Sequence, residues 1–181
     1  MNEEVTVATA AEMHALGRRL AALLRAGDLV ILSGPLGAGK TTLTQGIGAG
    51  LGVRGPVTSP TFVIARVHPS LDRARGLAAS GPALVHADAY RLGSVLEMDD
   101  LDLDTDTATS VTVVEWGEGL AEGLAADRLE VAITPAAVPH AVQADGAPPE
   151  DGDAPRTVMI AGVGERWHGI ELPPADLADR L

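Results

Sequence analysis

The sequence of 181 residues contains no cysteine, and aromatic residues make up only 2% of it. Without cysteine the chain can form neither a disulfide framework nor a thiolate site for zinc or an iron–sulfur cluster. With so few aromatic side chains, the apolar 46% of the sequence predicts an aliphatic core of alanine, valine and leucine. The length is typical of one domain that can bury such a core.

Positive charge is also scarce, because 13 basic residues stand against 25 acidic ones and the formal net charge is -12. This excess disfavours direct, non-specific binding to nucleic acid or anionic lipid. We therefore expect no DNA or membrane partner, and action on any nucleic acid only through another subunit that supplies the positive surface. The first residues, MNEEVTV, lack the apolar stretch of a signal peptide, and the run LVIL is far shorter than the roughly 20 residues of a membrane-spanning helix. A cytoplasmic protein is expected.

Helical and apolar strand patterns alternate along the chain and predict an α/β fold with antiparallel strands at the edge of the sheet. Residues 9–27 predict an amphipathic helix that begins with a capping box and stops at Gly27. Residues 28–34 predict a buried strand, and residues 41–52 a second helix that closes at Gly52. Further strands are predicted at 61–68, 83–88, 111–116, 128–134 and 156–162.

Two segments fall outside this pattern, although the chain as a whole (1–181) is interpreted as a single domain. Residues 135–155 are acidic and hold five prolines in 21 residues, which predicts a mobile or disordered insert joining the last two strands. The acidic stretch 97–107 does not match a calcium-binding loop, because threonine and valine occupy the positions that require glycine and glutamate. A solvated segment is the main interpretation there, and a protein-docking role the minor one.

The chain has twelve arginines but a single lysine, Lys40, which lies in the stretch GPLGAGKTT. Glycines at 34 and 39, followed by Lys40 and Thr41, form a P-loop pattern with an apolar strand before it and a helix after it. In such a loop the glycines let backbone N–H groups converge on phosphate oxygens. Lys40 is expected to reach the β- and γ-phosphates, and the Thr41 hydroxyl to bind Mg²⁺. No second lysine exists to build an Asn-Lys-x-Asp guanine-reading element, so ATP is the favoured nucleotide.

A P-loop enzyme also needs an acidic residue at a strand end to hold Mg²⁺ or to orient water, and two residues qualify. Asp88 follows LVHA and suits metal coordination, whereas Glu115 follows TVV and suits water orientation because Trp116 could partly desolvate it. Either residue could instead be a solvated carboxylate at the end of a strand. His86, two residues before Asp88, could equally be a structural histidine.

The stretches GPLGAGKTT, TSPTF, HADAYRL and EWGE occur in this order, and with them the chain resembles the TsaE (YjeE) family. These are small bacterial P-loop ATPases of the tRNA threonylcarbamoyladenosine pathway. The resemblance runs from about residue 8 to about residue 134, with a family-like strand near 158–161. It implies a three-layer P-loop NTPase fold with a mostly parallel sheet.

The resemblance also implies roles for individual residues. Thr61 is similar to a switch residue that senses the γ-phosphate, and Trp116 would lie near the nucleotide. The residues implied to bind ATP are Leu36, Gly37, Ala38, Gly39, Lys40, Thr41, Thr42, Thr61 and Trp116. Those implied to be catalytic are Lys40, Asp88 and Glu115, and those implied to hold Mg²⁺ are Thr41, Asp88 and Glu115.

The family's activity is a Mg²⁺-dependent ATPase that is weak alone and works with a TsaB–TsaD heterodimer, so the resemblance implies the same here. Modification of adenosine 37 in the tRNA would then be the work of that complex. Two other interpretations of the residues stay open. One is a small-molecule P-loop kinase, and the other is a nucleotide-dependent assembly factor whose hydrolysis is incidental.

Overall fold

A computed structural model describes residues 1–60, 64–71, 81–91, 109–136 and 155–175 of the chain. Its strands and helices are, in chain order, β1 (Asn2–Val7), α1 (Ala10–Ala21), β2 (Leu29–Ser33), α2 (Lys40–Leu51), β3 (Ala65–His68), β4 (Ala83–Asp88), β5 (Ser110–Glu115), β6 (Arg128–Pro135) and β7 (Arg156–Val163). Two 3₁₀ turns, Glu122–Leu124 and Glu165–Trp167, follow β5 and β7.

The described strands form one sheet in the order β1-β7-β6-β2-β5-β4-β3. The central strands β6, β2, β5 and β4 are parallel to one another, whereas the pairs β1–β7, β6–β7 and β3–β4 are antiparallel. This arrangement confirms the predicted α/β class with antiparallel strands at the edges. Since parallel strands end at the same edge of a sheet, the carboxyl ends of β2, β5 and β4 lie side by side.

The core is aliphatic, as the composition predicts, and occupies both faces of the sheet. One face packs against α1 and α2 and holds the larger cluster, with the fully buried Leu20, Leu43 and Ile47 among its members. The other face holds a smaller cluster around Ile31 and Val114, covered by the segment that contains Ala121. Both described α-helices therefore lie on one side of the sheet.

The first helix starts where the capping box predicts. The Thr9 side chain accepts a hydrogen bond from the Glu12 N–H at 3.1 Å, and the Glu12 carboxylate accepts one from the Ala8 N–H at 2.7 Å. The predicted stop at Gly27 is wrong, because α1 ends at Ala21.

The apolar spacing continues beyond the end of this helix, because Leu24 still packs into the core although the backbone there is no longer helical. Arg166 donates from Nη2 to the Leu23 carbonyl at 2.7 Å and so satisfies an acceptor that a longer helix would have used. Gly27, at φ +90°, instead turns the chain towards β2, and its N–H donates to the Ser110 carbonyl at 2.9 Å.

The second helix confirms its predicted end, because Gly52 caps α2 in the left-handed conformation at φ +66°. Strand β1 was not predicted. Its exposed positions, Asn2, Glu4 and Thr6, are polar, and its inner positions are only partly buried except for Val7. The extended conformation of such an edge strand depends mainly on pairing with its neighbour. Here the neighbour is β7, and the register pairs Val5 with Val158.

The last two strands confirm the strand pair predicted on either side of the insert. Their ladder ends at Pro135 opposite Arg156, and beyond it the Ala136 N–H donates to the Pro155 carbonyl at 2.8 Å. The rest of the insert, 137–154, and the acidic stretch 97–107 lie outside the described residues. Within the described part of the chain, no helix combines the length and apolar character needed to span a membrane.

The two helices approach each other through glycines. A Cβ at Gly46 of α2 would meet the backbone carbonyl of His14, and one at Gly17 of α1 would meet that of Leu43. Backbone carbonyls inside helices cannot move aside as a flexible side chain can. The packing of α1 on α2 therefore depends on the absence of side chains at these positions.

We expect Gly46→Ala to lower the free energy of unfolding by about 1–3 kcal/mol, because the helices must separate to admit the methyl group. Urea unfolding followed by circular dichroism measures this change. The matched control is Gly123→Ala, where a Cβ meets nothing within 4 Å and the expected change is within about 0.5 kcal/mol. Equal stability of the two variants would contradict the close-packing interpretation.

Candidate functional site

A cavity of about 220 Å³ opens where the carboxyl ends of β2, β5 and β4 meet the start of α2. Its lining consists of Leu36, Gly37, Ala38, Gly39, Lys40, Thr41, Thr42, Ser59, Asp88, Glu115 and Trp116. Every predicted site residue except Thr61 is in this set, and Thr61 lies outside the described residues. The volume is smaller than the roughly 300–1,000 Å³ of pockets that enclose whole ligands, and matches a phosphate chain better than a complete nucleotide.

The loop between β2 and α2 follows a path that requires glycine. Gly34, Gly37 and Gly39 have φ of +136°, +77° and +108°, and a Cβ at Gly34 would also meet the Ile133 carbonyl of β6. Helix α2 begins at Lys40, directly after Gly39. The positive end of the helix dipole and its first N–H groups therefore border the cavity, which favours an anion there.

The ammonium of Lys40 is held by this same loop. Its Nζ donates to the carbonyl oxygens of Gly34 at 2.8 Å and Pro35 at 3.0 Å, and lies 3.7 Å from the centroid of the Trp116 ring. The residue is only 5% exposed. Burial lowers the pKa of Lys40 from its ordinary value, and the negative charges of Glu115 and Asp88 partly oppose that shift.

Two buried carboxylates face this lysine from neighbouring strands. Asp88 and Glu115 are opposite each other in the β4–β5 ladder and are 4% and 3% exposed. The Thr41 hydroxyl donates to both carboxylate oxygens of Glu115, at 2.9 and 3.2 Å. Asp88 accepts a hydrogen bond from the Tyr90 N–H at 2.9 Å. The fold thus brings together the three residues predicted to hold Mg²⁺.

Trp116 owes its position to an uncommon backbone conformation. Its φ is +59°, which costs a residue with a side chain roughly 1–2 kcal/mol. The N–H of Trp116 donates to the Leu32 carbonyl of β2 at 2.8 Å, which fixes the turn at the end of β5. The indole then lies against Lys40 on one side, and its centroid is 5.1 Å from that of Tyr90.

The sequence alone leaves the role of His86 open. In the structure His86 lies beside Glu115. Its Nε2 lies 2.8 Å from Glu115 Oε1, and the side chain is fully buried. The signal that could have found it is the spacing of two residues between His86 and Asp88, because alternate residues of a strand point to the same face. Ser59, part of the TSPTF stretch, was likewise not named as a cavity residue but lines it.

The donor set suits magnesium better than a metal held by protein groups alone. Thr41, Asp88 and Glu115 offer oxygen atoms, which Mg²⁺ prefers. Among the residues that the structure describes, no three histidine or carboxylate side chains converge as a metal cage. Mg²⁺ is commonly bound by one or two carboxylates and completes its coordination with water and substrate phosphates.

The chain is similar to known proteins over most of its length. The model of the family described as threonylcarbamoyl adenosine biosynthesis protein TsaE matches residues 7–141. The chain is 60% identical to a Streptomyces coelicolor protein named tRNA threonylcarbamoyladenosine biosynthesis protein TsaE, over 86% of this chain and 93% of the relative. A Bacillus subtilis protein of the same name is 34% identical, with 86% and 83% covered. The crystal structure of Bacillus subtilis YdiB superimposes with a TM-score of 0.65 at 27% identity, covering 99% of this chain and 95% of that one.

The lowered pKa of Lys40 predicts a pH-dependent contribution to stability in the absence of nucleotide and Mg²⁺. When the folded pKa lies below the unfolded one, the unfolded chain binds more protons between the two values, so stability rises with pH there. Relative to Lys40→Met, we expect the wild type to gain unfolding free energy as the pH rises from neutral towards the ordinary lysine pKa of 10.5. Denaturant unfolding of both proteins across that range measures the difference between their unfolding free energies. If the wild type gains no unfolding free energy relative to Lys40→Met as the pH rises, the burial of the charge is contradicted.

Proposed function

The chain belongs to the TsaE family of threonylcarbamoyl adenosine biosynthesis proteins, and from that membership we propose that it binds ATP with Mg²⁺ and hydrolyses it. Its function lies in tRNA threonylcarbamoyladenosine biosynthesis. The observation that carries the ATPase proposal is the contact of Thr41 with Glu115 directly beside the buried Lys40 ammonium. A P-loop, a hydroxyl ligand and a strand-end carboxylate are the parts that phosphoryl transfer to water requires.

The loop and the start of α2 bind the phosphates. The Lys40 ammonium already lies among the loop carbonyls of Gly34 and Pro35, so it needs to exchange only a backbone oxygen for a phosphate oxygen. A phosphate oxygen also gives a charged hydrogen-bond partner to an ammonium that burial disfavours. Leu36 is 91% exposed at the tip of the loop, outside the part of the cavity where charge is concentrated.

Magnesium is needed because the site's own charges do not favour a triphosphate. Asp88 and Glu115 outnumber Lys40, and the chain as a whole carries a net charge of -12. Thr41 and Asp88 would hold Mg²⁺ together with phosphate oxygens, and the ion would neutralise charge on the phosphates. Mg²⁺ and ATP therefore bind as one unit.

Glu115 is the residue suited to orient the attacking water. The water oxygen bonds to the γ-phosphorus while the bond from that phosphorus to the β–γ bridging oxygen breaks, and ADP leaves with the electron pair. Glu115 accepts the proton of the water and passes it on to the released phosphate. Burial at 3% exposure and fixed hydrogen bonds give its carboxylate one orientation, which is what such a base requires.

The biological partner proposed for this ATPase is a TsaB–TsaD-like heterodimer in the cytoplasm, with tRNA held by that complex. The acidic surface supports this proposal, because a chain with net charge -12 would bind tRNA phosphates poorly by itself. Hydrolysis is expected to be weak alone and stimulated by the heterodimer.

Lys40→Ala should lower ATP affinity by about 10- to 100-fold, because a charge-assisted contact to phosphate is lost. Isothermal titration calorimetry with Mg²⁺·ATP measures this. Arg25→Ala removes the same charge from an exposed position and is expected to bind like the wild type. Unchanged binding by the Lys40 variant would reject the loop as the nucleotide site.

Glu115→Gln should retain ATP binding but slow hydrolysis by about 10²-fold or more, because the amide cannot accept the water proton. Phosphate release is measured with the TsaB and TsaD homologues of the same organism present. Glu118→Gln makes the same change at an exposed position three residues further on, where no loss is expected.

Two outcomes of this experiment would overturn parts of the proposal. An unaltered rate for Glu115→Gln would move the water-orienting role to Asp88. If the variant binds ATP, barely hydrolyses it and still supports full threonylcarbamoylation of tRNA, the protein is a nucleotide-dependent assembly factor and hydrolysis is incidental.

A further inference from the structure

We infer that His86 is a positioning residue for hydrolysis, which orients the Glu115 carboxylate by donating to Oε1 and leaves Oε2 to accept from the attacking water. The inference rests on the proposed ATPase function. It assigns a part to a buried polar group that the P-loop chemistry does not otherwise use. His86 is not itself among the residues that line the cavity, and it acts on the site through Glu115.

The contact follows from strand register. His86 pairs with Val113 and Asp88 pairs with Glu115 in the β4–β5 ladder, so His86 and Glu115 are diagonal neighbours on one face. That face also carries Leu84 and Val113, which pack into the larger apolar cluster. The backbone of β4 is held on both sides, because His86 also pairs with Arg66 of β3. The ring is thus fixed to the middle of the sheet.

The burial of His86 needs a reason, because an apolar residue would fill this position at lower cost. The residues around it in β4, Leu84, Val85 and Ala87, are buried and apolar. A buried imidazole loses hydration free energy unless it forms hydrogen bonds. In the described part of the chain, the hydrogen bond of this ring is the one to Glu115, and Nδ1 has no partner there.

The same geometry specifies which ring nitrogen carries the proton. An ionised carboxylate can only accept, so Nε2 must be the protonated nitrogen. Nε2 is therefore the ring nitrogen that donates to Glu115 Oε1.

The role becomes specific when nucleotide binds. In the structure Oε1 of Glu115 accepts from both Thr41 and His86, and Oε2 is 3.2 Å from the Thr41 hydroxyl. If Thr41 held Mg²⁺, as proposed, that donor would be lost to Glu115. The hydrogen bond from His86 to Oε1 then prevents the Glu115 carboxylate from rotating, so that Oε2 faces the water.

The test compares His86→Leu with His86→Gln, in which the amide nitrogen can replace Nε2 as the donor. His68→Leu is the matched control, because His68 is a buried histidine on the neighbouring strand β3. With the TsaB and TsaD homologues present, His86→Leu should lower kcat by about 10- to 100-fold with little change in ATP affinity. His86→Gln should recover most of that loss, and His68→Leu should keep the wild-type kcat per folded molecule.

The inference fails if His86→Leu keeps wild-type kcat, if His86→Gln is as slow as His86→Leu, or if His68→Leu is as slow as both. Failure of the ATPase proposal itself shows separately, as a wild type that neither binds nor hydrolyses ATP. A second measurement uses the protein without added nucleotide, in which long-range ¹H–¹⁵N correlation spectra should show a proton on Nε2 of His86. An Nε2 without a proton would overturn the inference.

Discussion

Parallel pairing of β2 with β5 and of β5 with β4 is the constraint on which every feature of the candidate site depends. It places Leu32 opposite Glu115 and Glu115 opposite Asp88, and so brings three chain segments to one edge of the sheet. Shifting β5 by one residue would turn Glu115 to the other face, away from Thr41 and His86. The aliphatic packing that fixes the register is therefore also what fixes the chemistry.

Three ionisable groups are buried together at this edge. Lys40, Asp88 and Glu115 are each at most 5% exposed, and buried ionised groups cost stability unless they are paired or hydrogen-bonded. Here the loop carbonyls, the Thr41 hydroxyl and His86 supply the hydrogen bonds. The close packing of the two helices through Gly17 and Gly46 adds stability elsewhere.

The parts of the site that the sequence predicts are those set by local spacing. The P-loop, the start of α2 and the strand-end carboxylates could all be read from short patterns, and the structure brings them together. The pairing of His86 with Glu115 could not, because it depends on the register of two strands 29 residues apart. The predicted end of α1 was wrong because Leu24 continues the apolar spacing after the helix stops. Strand β1 was not predicted because its pairing with β7 at the edge of the sheet, and not its own hydrophobic pattern, makes it a strand.

The position at which the insert, residues 135–155, leaves the sheet has a consequence for how such chains can vary in sequence. Strand β6 runs parallel to β2, so Pro135 lies at the edge where the P-loop begins, and the Ala136–Pro155 hydrogen bond completes the sheet before the chain leaves it. The described ladder contacts of β6 and β7 lie outside the stretch between these two residues, so they do not set its length. A fluorophore or an affinity tag inserted there would be attached next to the edge of the sheet that carries the candidate site.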